Sequence, residues 1–90
     1  MIKALKKDMA KFLLEIKLNS EMAVKKHVQS SDLGVSKEEL HSIFCEAEHM
    51  KYINGGSASD KRIYYMVWTD DATLTPEGEE YLFNNLEFIQ

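Results

Sequence analysis

Three side chains with metal-binding chemistry follow one another at helical spacing: His41, Cys45 and His49. Residues four apart lie one turn apart on a helix, so two neighbouring members of this set could chelate an ion. Positions 41 and 49 are roughly 12 Å apart along a helix axis, so all three cannot share one ion. A full site would need further ligands, for example His27. Because closed zinc sites usually carry four ligands at tighter spacing, we predict no metal site here and assign these residues to an exposed polar stripe.

Cys45 could instead be a redox-sensitive thiol. His41 and a protonated His49 would favour its reactivity, whereas Glu46 and Glu48 would oppose it. The chain has one cysteine and so no internal disulfide, which is typical of a reducing cytoplasm. We therefore expect a cytoplasmic protein in which Cys45 is part of the exposed helix surface.

The helix expected at 36–50 is also a candidate for reading double-stranded DNA. Its outward side chains could meet base edges or phosphates in the major groove, and two basic residues could hold the DNA backbone from a neighbouring hairpin. Three glutamates on or beside that face would repel phosphates, which counts against tight binding. The predicted DNA-contacting residues are Ser36, Lys37, His41 and Ser42 on the helix, and Lys61 and Arg62 on the hairpin.

Apolar residues near the end of the chain suggest a protein interface. Phe83 directly follows Leu82, so the two side chains cannot both enter one narrow buried stripe. An apolar patch left uncovered usually marks an interaction site, either with a second copy or with another protein. The alternative is that Phe83 packs under the segment 18–29. The predicted interface residues are Tyr81, Phe83, Leu86, Phe88 and Ile89.

Enzyme catalysis is not indicated. The sequence has no glycine-rich phosphate loop and no nucleophile elbow, and Gly55-Gly56 is only a turn signal. A chain of 90 residues also has little room for a deep pocket. We predict neither an enzyme nor a cofactor.

Charge is unevenly distributed along the chain. The net charge is −4, yet residues 1–27 hold seven lysines against three acidic residues. Residues 28–90 hold four basic residues against twelve acidic ones. The negative total lowers the expectation of nucleic-acid binding without excluding it, because the local field decides. Charges also interrupt every apolar run, so we expect no membrane span. A length of 90 residues predicts a single domain over 1–90.

The elements that must position these residues follow from turn and capping signals. Gly34 can take a left-handed backbone and end a short helix. Ser36 with Glu39 forms a capping box ahead of the buried stripe Leu40, Ile43, Phe44 and Ala47. Thr75 with Pro76 begins the last helix, whose expected buried stripe is Tyr81, Leu82, Leu86 and Ile89. We predict an α+β winged helix-turn-helix with helices at 2–17, 31–34, 36–50 and 75–88, and a β-hairpin wing formed by 52–54 and 62–68.

The segment 18–29 carries the weakest pattern. Ser20 could cap a short helix, or residues 23–28 could form a strand that pairs with the hairpin. We favour a turn followed by extended chain, because Val24 and Val28 are β-branched. Ser30 or Ser31 is then expected to cap the helix that stops at Gly34.

Two stretches resemble the YjcQ family of small winged-helix proteins from Gram-positive bacteria and their prophages. One is DLGVS at 32–36, leading into Glu39-Leu40, and the other is LTPEGEEYLFNN at 74–85; Tyr52-Ile53 before the wing is similar too. The resemblance covers about residues 30–90 and implies a fold, but it supplies no catalytic or ligand-binding residues. We predict a small DNA-binding, transcription-regulator-like module; the alternative is a winged helix that binds proteins through its last helix.

Overall fold

Helices and short antiparallel strands alternate along the chain in a computed structural model, which describes residues 6–59 and 65–89. Over these ranges the class is α+β, as predicted. The helices are α1 (Lys6–Ser20), α2 (Ser30–Leu33), α3 (Lys37–His49) and α4 (Pro76–Asn84), followed by a 3-10 turn at Leu86–Phe88. The strands are β1 (Ile53–Asn54), β2 (Ser57–Ala58), β3 (Val67–Trp68) and β4 (Thr73–Leu74).

Helix α1 is the element against which the others pack. Met9, Phe12, Leu13 and Ile16 recur at helical spacing along α1, and none of them is exposed to solvent. The ring of Phe12 meets Phe44 of α3 edge-on, with centroids 6.4 Å apart. The predicted start at residue 2 lies outside the described residues. The predicted end at residue 17 is wrong, because the helix continues to Ser20.

The chain then turns at 21–24, as the favoured interpretation predicted, and continues without helix or strand through 25–29, which we call the extended segment. Its last residue, Gln29, has extended backbone angles, with φ = −111° and ψ = 155°. Asn19 fixes this turn: its Oδ1 accepts a hydrogen bond from the Lys26 backbone N–H at 2.7 Å. The Lys25 ammonium donates to the carbonyl of Ser20, the last residue of α1. The Lys25 contact satisfies a carbonyl that the end of a helix leaves without a partner.

The bend between α2 and α3 forms at Gly34, which has φ = 69°. Ser36 caps α3 as predicted, with its hydroxyl accepting from the Glu39 N–H at 3.1 Å. The Glu39 carboxylate accepts in return from the Ser36 N–H at 3.2 Å. The expectation that Ser30 or Ser31 caps α2 is wrong, because Gln29 takes that position and its N–H donates to Asp32.

The predicted pairing of 52–54 with 62–68 is wrong. Strand β1 pairs antiparallel with β4, in the register Ile53↔Leu74. Strand β2, which lies between the two predicted wing strands, pairs antiparallel with β3. The two strand pairs together form what we call the ribbon. Gly55 and Gly56, both at positive φ, separate the pairs along one edge of the ribbon, and the turn after Thr69 separates them along the other. Of the predicted second strand, residues 62–64 lie outside the described part of the chain.

Helix α4 begins as predicted. The Thr75 hydroxyl accepts from the Gly78 N–H at 3.0 Å and donates to the Lys51 carbonyl at 2.5 Å. The helix ends at Asn84 rather than 88, and a 3-10 turn follows. Within the described ranges, no helix has the length and apolar character needed to cross a bilayer.

Candidate functional site

The outward face of α3 is acidic. Lys37, Glu38 and Glu48 are exposed, and Glu46 is half-buried. Ser42, one of the predicted DNA-contacting residues, is also half-buried. Ser36 is exposed, but its hydroxyl is engaged in the helix cap. Lys37 is therefore the one lysine that α3 offers to phosphates, beside several carboxylates of the same helix.

His41 is buried, so its predicted outward orientation is wrong. Only 6% of the surface of His41 is accessible to solvent. Its Nε2 lies 2.7 Å from the Ser59 carbonyl oxygen, and its ring stands edge-on to Tyr65 with centroids 5.6 Å apart. The cause is the ribbon, which covers one more position of α3 than the apolar stripe alone indicates.

The three residues of the predicted polar stripe therefore lie in different environments, one buried and two exposed. Cys45 is exposed, with its Sγ 3.7 Å from His41 Nδ1. His49 is exposed, one turn further along α3. Among the residues that the structure describes, no three His, Cys, Asp or Glu side chains gather closely enough to hold a metal ion. Lys61 and Arg62, the predicted hairpin contacts, lie outside the described residues.

The end of the chain carries an exposed apolar surface. Phe83 is 74% exposed, Leu86 43% and Phe88 41%. We call these three residues the C-terminal patch. The alternative in which Phe83 packs under 18–29 is wrong, because most of Phe83 is exposed to solvent. The expected burial of Leu86 is also wrong, since the helix ends before it.

The remaining predicted interface residues lie between this patch and the core. Tyr81 and Ile89 are half-buried and pack against the core. The centroids of the Tyr81 and Tyr52 rings are 4.8 Å apart, and the two ring planes are tilted by 37°. Burial raises the pKa of both phenols, and the Glu46 carboxylate adds to the rise. Neither tyrosine is positioned as a freely exposed contact residue.

The C-terminal patch has strongly acidic surroundings. Residues 65–89 contain six acidic residues and no lysine, arginine or histidine. Glu79 and Glu80 lie one helical turn before Phe83, and Glu87 is exposed beside Leu86. Lys17 of α1 reaches Glu79 at 3.3 Å, and both side chains are about half exposed. Glu80 and Glu87 therefore give the patch a negative rim.

A second feature is an open cleft of about 230 Å³ between the end of α1 and the extended segment. Sequence reasoning missed it, since none of its residues forms a motif. Burial, with Asp32 nearby, raises the pKa of the Glu15 carboxyl. Among the described residues, the Asn19 Nδ2 is buried without a hydrogen-bond partner. The cleft is lined by Glu15, Leu18, Asn19, Met22, Lys26, His27, Val28 and Asp32.

His27, considered above as a metal ligand, has a structural contact instead. Its Nδ1 accepts a hydrogen bond from the Thr69 N–H at 3.1 Å. Asp70 Oδ1 approaches the same nitrogen at 3.8 Å. Because a nitrogen that accepts a hydrogen bond carries no proton, we do not interpret this approach as a salt bridge. His27 therefore ties the extended segment to the ribbon.

No protein-family model, curated protein or solved structure matches the chain. The resemblance to the YjcQ family stays a prediction.

Proposed function

We propose that this chain is a winged-helix module that binds another protein through its C-terminal patch. The observation that carries the proposal is the 74% exposure of Phe83 beside the carboxylates of α4. A phenylalanine exposed to this degree together with two further apolar side chains is typical of an interaction site.

The order of elements supports the winged-helix assignment. A short helix, a tight turn at Gly34 and a second helix precede an antiparallel ribbon and a closing helix. Winged helices commonly place a short strand beside the ribbon, before the turn. Here the extended residues 25–29 lie there, joined by side-chain bonds: the Val28 N–H donates to Thr69 Oγ1 at 2.7 Å, and the Thr69 N–H donates to His27.

The charge around the patch favours a partner with a basic amphipathic helix. Such a helix would place apolar side chains on Phe83 and lysine or arginine side chains against Glu80 and Glu87. Charge complementarity of this kind speeds association and excludes wrong partners.

A second copy of the chain fits the patch less well. In a two-fold symmetric dimer the same surface meets itself, so the acidic rims would face each other. The basic helix α1 cannot supply the apolar ridge either, because Met9, Phe12 and Ile16 are fully buried in its own core. We therefore assign the patch to a separate partner.

DNA binding is the competing prediction, and the geometry of α3 counts against it. His41 is removed from the surface, and the exposed lysine at 37 stands beside Glu38. Neutralising phosphates provides most of the affinity for DNA, and an acidic helix face cannot do this.

The test uses an amphipathic helical peptide of leucine and lysine and a matched peptide in which glutamate replaces lysine. We expect the full chain to bind the basic peptide and not the acidic one, measured by fluorescence anisotropy at low salt. Phe83→Ser should weaken binding about tenfold or more, because burying a phenylalanine contributes roughly 1.5–3 kcal/mol. Val24→Ser is the matched control, since Val24 is 71% exposed and lies outside the patch.

Three results would overturn the proposal. The first is equal peptide binding by the Phe83→Ser variant and the unsubstituted chain. The second is a dimer in light scattering that Phe83→Ser disrupts, which would assign the patch to a second copy. The third is retention on random duplex DNA at low salt that is lost when Lys61 and Arg62 are changed to alanine.

A further inference from the structure

We propose that the cleft at the end of α1 binds a free α-amino acid with an aliphatic side chain. The cleft lies between α1 and the extended segment and has a volume of about 230 Å³. It shares no residue with the C-terminal patch, so this site does not depend on the proposed function. Three kinds of group line it: hydrogen-bond donors, carboxylates and apolar side chains.

Asn19 supplies an unsatisfied donor in the lining of the cleft. The residue is 6% exposed, and its Oδ1 accepts from the Lys26 backbone N–H at 2.7 Å. This bond fixes the orientation of the side-chain amide and leaves Nδ2, which can only donate. Nδ2 is buried and has no hydrogen-bond partner among the described residues. A buried donor without an acceptor is costly, and a ligand oxygen that entered the cleft would satisfy it.

Two further donors come from the extended segment. His27 Nδ1 accepts from the Thr69 N–H, so in the neutral ring the proton is on Nε2, which can donate. Lys26 is exposed and adds an ammonium group. Both residues line the cleft together with Asn19. Three donors in one cleft are suited to a carboxylate, whose two oxygens accept several hydrogen bonds.

Two carboxylates line the same cleft. Glu15 lies one helical turn before Asn19 on α1, and Asp32 belongs to α2. Burial raises the pKa of the Glu15 carboxyl, and the nearby charge of Asp32 adds to the rise. An ammonium group bound beside Glu15 would stabilise the ionised carboxylate and relieve its repulsion with Asp32. This part of the cleft is therefore suited to a cation.

The remaining lining is apolar and small. Leu18 and Met22 are about half exposed, and Val28 is buried. An aliphatic ligand that covered Leu18 and Met22 would remove apolar surface from water. The volume of about 230 Å³ holds roughly eight water-sized groups, which is comparable to leucine or methionine. It is smaller than the pockets of roughly 300–1,000 Å³ that hold drug-sized ligands.

The mixture of charges favours a zwitterion over a simple ion. A ligand that is only anionic would be repelled by Glu15 and Asp32. A ligand that is only cationic would be repelled by Lys26 and would leave the Asn19 donor unsatisfied. An α-amino acid carries both an ammonium and a carboxylate group, and its aliphatic side chain matches the apolar lining. Because the ligand is small and the cleft is open, we expect a Kd of about 1 mM.

The test titrates leucine into the full chain and follows its nitrogen–proton NMR spectrum. The side-chain amide of Asn19 gives its own pair of signals, so it reports directly on the unsatisfied donor. We expect these signals to shift and to saturate as leucine binds. Isocaproate lacks the ammonium group and isoamylamine lacks the carboxylate, so each should bind about fivefold more weakly or less.

Glu15→Gln is the central variant, because glutamine keeps the length of the side chain and removes its charge. The loss of a charged acceptor for the ligand ammonium should weaken leucine binding about fivefold or more. Glu21→Gln is the matched control, since Glu21 is exposed and does not line the cleft. This variant should bind leucine like the unsubstituted chain.

Asn19 signals that do not change up to about 50 mM leucine, far above the expected Kd, would refute the site. Equal affinities for leucine, isocaproate and isoamylamine would refute the assignment to an amino acid. Equal leucine binding by the Glu15→Gln and Glu21→Gln variants would do the same. The comparison of the three ligands uses the unsubstituted chain, so it does not depend on the folding of a variant.

Discussion

Thr69 holds two distant parts of the chain together through both its side chain and its backbone. Its Oγ1 accepts from the Val28 N–H at 2.7 Å, and its own N–H donates to His27 Nδ1 at 3.1 Å. Thr69 is fully buried and Val28 is 5% exposed. The hydroxyl therefore satisfies a buried backbone donor that lies outside the strands of the described residues.

We predict that Thr69→Val lowers the free energy of unfolding by about 1–3 kcal/mol. Valine keeps the shape of threonine but leaves the buried Val28 N–H without an acceptor, which costs its full desolvation. Thr73→Val, on an exposed position of β4, should change stability by less than about 0.5 kcal/mol. Urea unfolding of both variants measures the difference. Equal midpoints for the two would show that this bond contributes nothing to stability.

Sequence patterns correctly predicted the burial of residues within the apolar stripe of α3. They failed for the residue at the edge of this stripe. Leu40, Ile43, Phe44 and Ala47 are all buried, as their spacing indicated. His41 follows Leu40 directly and was predicted to be exposed. The width of a buried arc depends on what covers the helix, and the ribbon at Ser59 comes from a distant part of the chain. Periodicity within α3 contains no information about that cover.

At the scale of elements, local signals were reliable and long-range pairing was not. The caps at Ser36 and Thr75 depend on residues three positions away, and both formed as predicted. Each strand in the described part of the chain has two residues, so strand pattern could not fix a register. The register follows instead from the interruption at Gly55 and Gly56, and the predicted hairpin was therefore misaligned.

Gly78 sets how closely α4 approaches the start of the ribbon. A Cβ added there would lie 2.0 Å from the Tyr52 carbonyl oxygen and 2.9 Å from the carbonyl carbon. That carbonyl also accepts from the Thr75 N–H at 3.0 Å, so the backbone cannot simply move aside. The glycine in the first turn of α4 is thus explained by close packing.

We predict that Gly78→Ala destabilises the chain by about 2 kcal/mol, which is the upper end of the overpacking cost less the gain from alanine's helix propensity. That propensity favours alanine by about 1 kcal/mol, but overpacking against backbone costs about 1–3 kcal/mol or more. Gly34→Ala is the contrasting variant: no atom lies within 4 Å of its added Cβ, and only the positive φ costs about 1–2 kcal/mol. If thermal unfolding showed Gly78→Ala to be as stable as the unsubstituted chain, the close approach of α4 would be refuted.

At the scale of the whole molecule, the residues that set the surface charge are not the residues that stabilise the fold. The basic helix α1 meets acidic α4 through Lys17 and Glu79, but both side chains are about half exposed, and such pairs contribute about 0–1 kcal/mol. Stability depends mainly on the apolar face of α1 and the closing helix that packs on it. The uneven charge instead shapes the surface that a partner meets, because the rim of the C-terminal patch stays negative.

The pair Tyr52 and Tyr81 makes the stability of the whole chain sensitive to alkaline pH. Burial raises the pKa of both phenols above 10.0, so the folded chain holds their protons more tightly than the unfolded chain does. The stability that comes from the neutral phenols is complete below pH 10 and is lost as pH rises through the folded pKa values. We predict that the urea midpoint of the unsubstituted chain decreases as the pH rises above 10.0, and that it decreases less steeply when both residues are changed to phenylalanine. Superimposable alkaline profiles for the two chains would mean that the contact between α4 and the start of β1 does not respond to these phenols.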